Sequence, residues 1–192
     1  MKAMRRVQAV LVDPCAEWTL IEQESADPSL LLARYVALLA IIPSVFGFIG
    51  ACLIGEIAPG RGVVRAPLID GLFGAVFCYV VTCATVLMLA LIITLLAPRF
   101  GGRRSFDSAF RLAAYSFTPV WLCGIFLVLP GLHFLLLCGF YGTYILWLGL
   151  PRLIKLPEQT SLTFALTIAA CACLLVIVAG TAQRVIFGTP GL

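Results

Sequence analysis

Five long apolar runs, separated by short stretches rich in proline, glycine and charge, leave this chain few folds to choose from. The runs fall at about 33–54, 68–97, 109–129, 133–150 and 162–187. About 20 helical residues cross a hydrocarbon layer about 30 Å thick, so each run matches one transmembrane helix. Only 11% of the residues are charged while 62% are hydrophobic, against about 25% charged in soluble domains. Lipid, rather than a charged surface, must solvate so much apolar area. The expected fold class is all-α, a polytopic membrane bundle of five transmembrane helices preceded by a short interfacial helix.

The interruptions carry information too. No turn residue breaks the second run, so it is one crossing, tilted or projecting beyond the bilayer. Pro130-Gly131 is so short a turn that the third and fourth spans must run antiparallel side by side. Pro43 lies inside the first span, and Thr118-Pro119 inside the third. An internal proline removes a backbone donor, which a membrane helix tolerates where a neighbouring helix covers the gap.

Residues 1–29 form the one sizeable polar region. Lys2, Arg5 and Arg6 open it, but the apolar stretch Val7 to Val12 is short, holds Gln8 and lacks a small-residue cleavage site. It does not read as a signal peptide. Asp13-Pro14 has the form of a helix N-cap followed by proline at the first helical position. The resulting helix is expected to lie at the membrane surface, with Trp18 at headgroup depth and Glu17, Glu22 and Glu24 toward water. Asp27-Pro28 repeats the start signal and leads into the first span. The domain organisation is therefore residues 1–32, a five-helix domain 33–187 and a short external tail 188–192.

Alternating loops sort the cations by side. One face takes Lys2, Arg5, Arg6, Arg34, Arg99, Arg103, Arg104, Arg111, Arg152 and Lys155; the other takes Arg61, Arg65 and Arg184. Ten against three is a positive-inside bias that assigns the N-terminus to the cytoplasm and the C-terminus to the periplasm. No dense basic face lies outside the spans, which argues against nucleic acid as a partner.

Chemistry-bearing residues are sparse. The eight cysteines form no CxxC pair and no Cys/His cluster, so they read as small packing residues with no metal or cofactor implied. The one histidine and the lack of nucleophile-elbow, HExxH or phosphate-loop patterns leave no enzyme motif. Asp70 and His133, at the starts of the second and fourth spans, are ionisable groups near the membrane boundary, expected in interfacial or capping roles. Tyr115, Ser116 and Thr118 supply polar handles in the third span for helix-to-helix hydrogen bonds. Glycines such as Gly50, Gly142 and Gly149 suit close helix packing or contact with a second copy. Arg99, Arg103 and Arg104, with Trp18, are the candidate contacts for membrane lipids or partner membrane proteins. The function expected is a non-enzymatic membrane scaffold or helper; the alternative is a small transporter or channel with a polar path near Asp70 and Thr118.

The runs Glu17-Trp18-Thr19-Leu20-Ile21-Glu22, Leu96-Ala97-Pro98-Arg99-Phe100-Gly101-Gly102 and Ala114-Tyr115-Ser116-Phe117-Thr118-Pro119-Val120-Trp121-Leu122 resemble bacterial members of the Yip family. Tyr141-Gly142-Thr143-Tyr144 and Gly149-Leu150-Pro151 continue the likeness in the same order. The resemblance implies a five-span inner-membrane protein with a cytoplasmic N-terminus and a short external tail. Eukaryotic relatives contact Rab-type GTPases in vesicle trafficking. This chain lacks their Asp-Leu-Tyr-Gly-Pro type segment and their longer cytosolic region, so GTPase binding does not carry over.

Overall fold

The computed structural model describes residues 2–24, 27–58 and 62–187; the proposed tail 188–192, Gly60 and Arg61 lie outside them. Two short helices come first, α1 (Lys2–Val12) and α2 (Pro14–Gln23). Five helices long and apolar enough to cross a membrane follow among the described residues: α3 (Pro28–Ile54), α4 (Leu68–Phe100), α5 (Phe106–Val128), α6 (Gly131–Leu153) and α7 (Glu158–Phe187). The expected five-span all-α bundle is what the chain forms.

Start signals act as their chemistry predicts. Asp13 Oδ1 accepts from Ala16 N at 3.1 Å and Asp27 Oδ1 from Ser29 N at 2.9 Å, each just before a proline at the first helical turn. Ser105 caps α5 by accepting from Ser108 N. Between α3 and α4, β1 (Glu56–Ala58) and β2 (Gly62–Val64) form a small antiparallel hairpin that pairs Ile57 with Val63.

The spans differ in what surrounds them. In α5, 67% of the central stretch is buried, against 17% in α7, although α5 is the least apolar of the five. A helix wrapped in protein can carry polar side chains that a lipid-facing helix cannot. The spans also differ in backbone regularity. α3 contains two π-helical stretches, Leu32–Val36 and Ile49–Ile54, and α6 begins with a 3-10 stretch, Pro130–Phe140. α5 breaks between Ser116 and Thr118, next to Pro119. α7 is a continuous α-helix, and so is α4 up to Leu96. At Pro43, Gly124 from α5 approaches so closely that a Cβ there would stand 2.8 Å from the proline Cα.

One core runs through the molecule, with Phe110, Leu112, Trp121, Ile93, Ile145 and Phe164 fully buried at its centre. α1 and α2 belong to it. They pack on the end of the bundle that carries the α4–α5 and α6–α7 links, here called the N-terminal face. This corrects the expected surface helix. Trp18 is 1% exposed and buried against protein, and Glu17 is buried rather than turned to water. Val7 and Val10, in a stretch with no structure assigned from sequence, are helical and buried.

All eight cysteines are free. Cys52 and Cys123 are buried as packing residues, whereas Cys15 and Cys138 are exposed, contrary to a uniform packing role.

Candidate functional site

Three arrangements collect the polar chemistry of the described residues. The first is the seat of the N-terminal helices. The Trp18 indole enters a slot between α5 and α6, made possible by Gly149, where a Cβ would lie 2.5 Å from Leu112 and 2.7 Å from the indole. Its Nε1 donates to the Ile145 carbonyl at 3.0 Å, so the polar edge of the ring is satisfied inside the protein. Tyr115 meets the indole edge-on at 6.1 Å and the Tyr35 ring at 5.0 Å.

Charge closes over this aromatic group. Arg6 pairs with Glu17 and Glu24, and its guanidinium stands 5.8 Å above the Tyr115 ring. Arg111 donates to the carbonyls of Ile21 at 3.1 Å and Glu24 at 2.6 Å, satisfying the end of α2. Lys155 pairs with Glu22, which holds that carboxyl below its ordinary range. Tyr141 Oη donates to the Leu11 carbonyl at 3.0 Å. Arg6, Glu17, Tyr35 and Arg111 were missed as site residues, because partners separated by up to 90 positions leave no local signal.

The second arrangement is the link between α4 and α5. Arg99, Arg103 and Arg104 are all exposed and make no ion pair among the described residues. Their backbone, by contrast, is fixed. Gly101 adopts φ 84, Arg103 N donates to the Ile154 carbonyl at 2.8 Å, and Thr160 Oγ1 donates to the Phe100 carbonyl at 3.1 Å. The α4–α5 and α6–α7 links are thus tied into one surface.

The third is a groove of about 510 Å³ between α5, α6 and α7, reaching Leu89 of α4. Ser116, His133 and Thr143 line it together with apolar and aromatic side chains. Close contact between α5 and α6 at its floor depends on Gly142, whose missing Cβ leaves room for the Ser116 carbonyl.

The predicted intramembrane residues are therefore divided. Thr118 is fully buried and shares a 2.8 Å hydrogen bond with Tyr35 Oη, joining α3 to α5 as the helix-to-helix reading expects. Ser116 and His133 both line the groove, Ser116 beside Gly142 and His133 near the start of α6. Asp70 joins neither; it lies in the first turn of α4, whose neighbour Gly71 packs on Cys52. From Cys52 back to Tyr35 along α3 is about 25 Å at 1.5 Å per residue, so Asp70 and Thr118 stand at different depths of the bundle. No group of three or more His, Cys, Asp or Glu side chains comes together among the described residues.

Comparison with known proteins places the chain. Inner membrane protein YohC of Escherichia coli strain K12 is 28% identical over 166 residues, covering 84% of this chain and 85% of that protein. YohC of Escherichia coli O6:H1 strain CFT073 gives the same identity and coverage. No solved structure matches. The family model described as Yip1 domain matches residues 9–180, from within α1 almost to the end of α7. A match that takes in the docked N-terminal helices and all five spans makes this chain a multi-pass inner-membrane member of the Yip1 domain family.

Proposed function

We propose that the protein is a non-enzymatic scaffold or helper of the bacterial inner membrane that gathers anionic lipid headgroups at its N-terminal face. The observation that carries this reading is the exposed trio Arg99, Arg103 and Arg104 on a backbone that is itself held rigid. Acidic neighbours neutralise Arg6 and Lys155, but these three remain open to an outside anion. Each arginine near an anionic leaflet contributes about 1 kcal/mol. The ten-to-three distribution of cations supports a cytoplasmic N-terminal face and a periplasmic C-terminus. Partner membrane proteins with acidic juxtamembrane segments would meet the same surface.

The test is lipid enrichment. Full-length protein, reconstituted in phosphatidylcholine containing one-fifth phosphatidylglycerol and then extracted gently, should carry phosphatidylglycerol above its bulk share. Replacing all three arginines by alanine should bring the bound fraction back to the bulk value. Wild-type protein that retains lipid in bulk proportion would overturn the reading. Fusing alkaline phosphatase to the C-terminus should give an active reporter; an inactive one would reverse the orientation.

A further inference from the structure

We propose that α1 and α2 draw the phospholipid headgroup layer about 10 Å deeper beside α3 and α6 than beside α4 and α7, thinning the bilayer on one side of the protein. The inference goes beyond the headgroup-gathering reading and uses none of the three arginines that carry it. Its starting point is how deep α2 is seated. α2 runs parallel along α6. The Leu11 carbonyl, just before it, accepts from Tyr141; Trp18 donates to the Ile145 carbonyl; Glu22 pairs with Lys155. Tyr141–Leu153 is an α-helix of 13 residues, so the α1–α2 link lies about 20 Å in from the N-terminal face. That link carries Asp13, an exposed carboxylate. Hydrocarbon around a bare carboxylate is strongly disfavoured, so water and headgroups must reach it there. A long side chain could snorkel to the surface, but aspartate is too short. Arg34 of α3 marks the same depth. It is exposed, its neighbour Tyr35 meets Thr118, and the Ser116 carbonyl packs on Gly142, next to Tyr141.

On the other side the apolar surface continues past that depth. Trp147 Nε1 donates to Ser161 Oγ at 3.0 Å, which sets the start of α7 level with Trp147. α7 returns antiparallel to α6, so Leu166 stands at about the height of Gly142. Thr160 Oγ1 donates to the Phe100 carbonyl at 3.1 Å, which puts Leu95 of α4 close to the same height. Leu95, Leu162 and Leu166 are each more than half exposed, as side chains bathed in lipid are. Exposed leucines and an exposed carboxylate thus share one height on two sides of one bundle. Between them Tyr141, Tyr144 and Trp147 follow one another on α6 at 5.6 and 6.2 Å, each more than a third exposed. Tyrosine and tryptophan are the side chains that favour the headgroup boundary. Helix lengths give the same step. From Tyr35 to Ile54 α3 measures about 30 Å, one hydrocarbon thickness. Leu162 to Phe187 of α7 measures about 39 Å and Leu68 to Leu95 of α4 about 42 Å. The far ends of these two helices are exposed and apolar too, at Leu68, Ile69, Val185 and Ile186. The apolar length is therefore greater on that side, not merely shifted, and tilting the whole bundle does not level the two.

The experiment uses full-length protein in dioleoylphosphatidylcholine vesicles, with a membrane-impermeant sulfonated maleimide on both sides so that the direction of insertion does not matter. Peptide mapping by mass spectrometry reads each thiol separately. Native Cys15, exposed two residues after Asp13, is the probe at the α1–α2 link and needs no substitution. Leu166→Cys is the probe at matching height on α7, and Gln23→Cys, at the exposed end of α2, is the reference. Cys15 should react within about threefold of the reference and Leu166→Cys about a hundredfold more slowly, because water is absent from the hydrocarbon. All three thiols should react alike once the protein is unfolded, and both variants should melt at the wild-type temperature. The variant with alanine at Arg99, Arg103 and Arg104 should keep this pattern, so its phosphatidylglycerol result and this one are read independently. Cys15 as protected as Leu166→Cys would overturn the proposal, since the headgroup layer would then be level and shallow. Leu166→Cys as reactive as Cys15 would overturn it too, since the headgroup layer would then lie deep on both sides.

Discussion

Trp18 donates its indole hydrogen to the main-chain carbonyl of Ile145, 127 residues later in the chain, at 3.0 Å. This single bond joins the first polar segment to the middle of the fourth span. It makes the N-terminal helices part of the bundle's interior.

Trp18→Ala should therefore destabilise the whole protein, by about 3–5 kcal/mol as for other buried aromatic truncations. Trp18→Phe should cost less, because the ring still fills the slot. Thermal unfolding in detergent measures the order, and proteolysis before residue 28 should accelerate in the alanine variant. Equal stability of wild type and Trp18→Ala would mean that α2 is a surface helix after all.

Gly142→Ala places a methyl group against the Ser116 carbonyl. Backbone cannot yield as a flexible side chain can, so α5 and α6 must separate, at a cost of about 1–3 kcal/mol. Gly131→Ala, where nothing lies within 4 Å of the added atom, is the matched control and should be near neutral. Unfolding temperatures of the two variants test the contrast.

The Tyr35–Thr118 hydrogen bond is enclosed, with Thr118 at 0% and Tyr35 at 4% exposure. Tyr35→Phe and Thr118→Val should each cost about 1 kcal/mol, since each orphans the remaining hydroxyl. The double variant should cost less than the sum, because neither hydroxyl is then left behind. Strict additivity in that cycle would show that the bond contributes no coupling.

Acid should loosen the N-terminal seat. Lys155 draws the Glu22 carboxyl below its ordinary 4.5, and Ser29 draws Asp27 below 3.8, by its hydroxyl first and its backbone second. Carboxyls depressed by folding add stability above their ordinary values and lose it as pH falls through the lower folded ones. Protection of α2 amides against hydrogen exchange should thus be flat from pH 7 to about pH 5 and decline below about pH 4. Protection that rises on acidification would contradict the sign.

Much of the architecture is readable from local chemistry. Apolar run length marks the spans, and Asp-Pro pairs mark helix starts, because both effects act within a few residues. The seat of Trp18 is not readable that way. An indole beside glutamates fits a membrane surface as well as a protein slot, and only the small Gly149 on a distant helix decides between them. Ser116, Thr118 and His133 can be identified as polar groups in apolar runs, but which of them share a space depends on helix rotation. Asp70 shows the same limit from the other side, since its likeness in type to the other polar residues hides a separation of about 25 Å.

The 3-10 winding of Pro130–Phe140 has a mechanical consequence. Its 11 residues extend about 22 Å, whereas an α-helix of that length would reach about 16 Å. Span length here is set by pitch as well as by residue count. Rewinding this stretch would retract everything ahead of Tyr141 by about one helical turn, so a substitution that merely favours α-geometry would change where His133 stands without touching it.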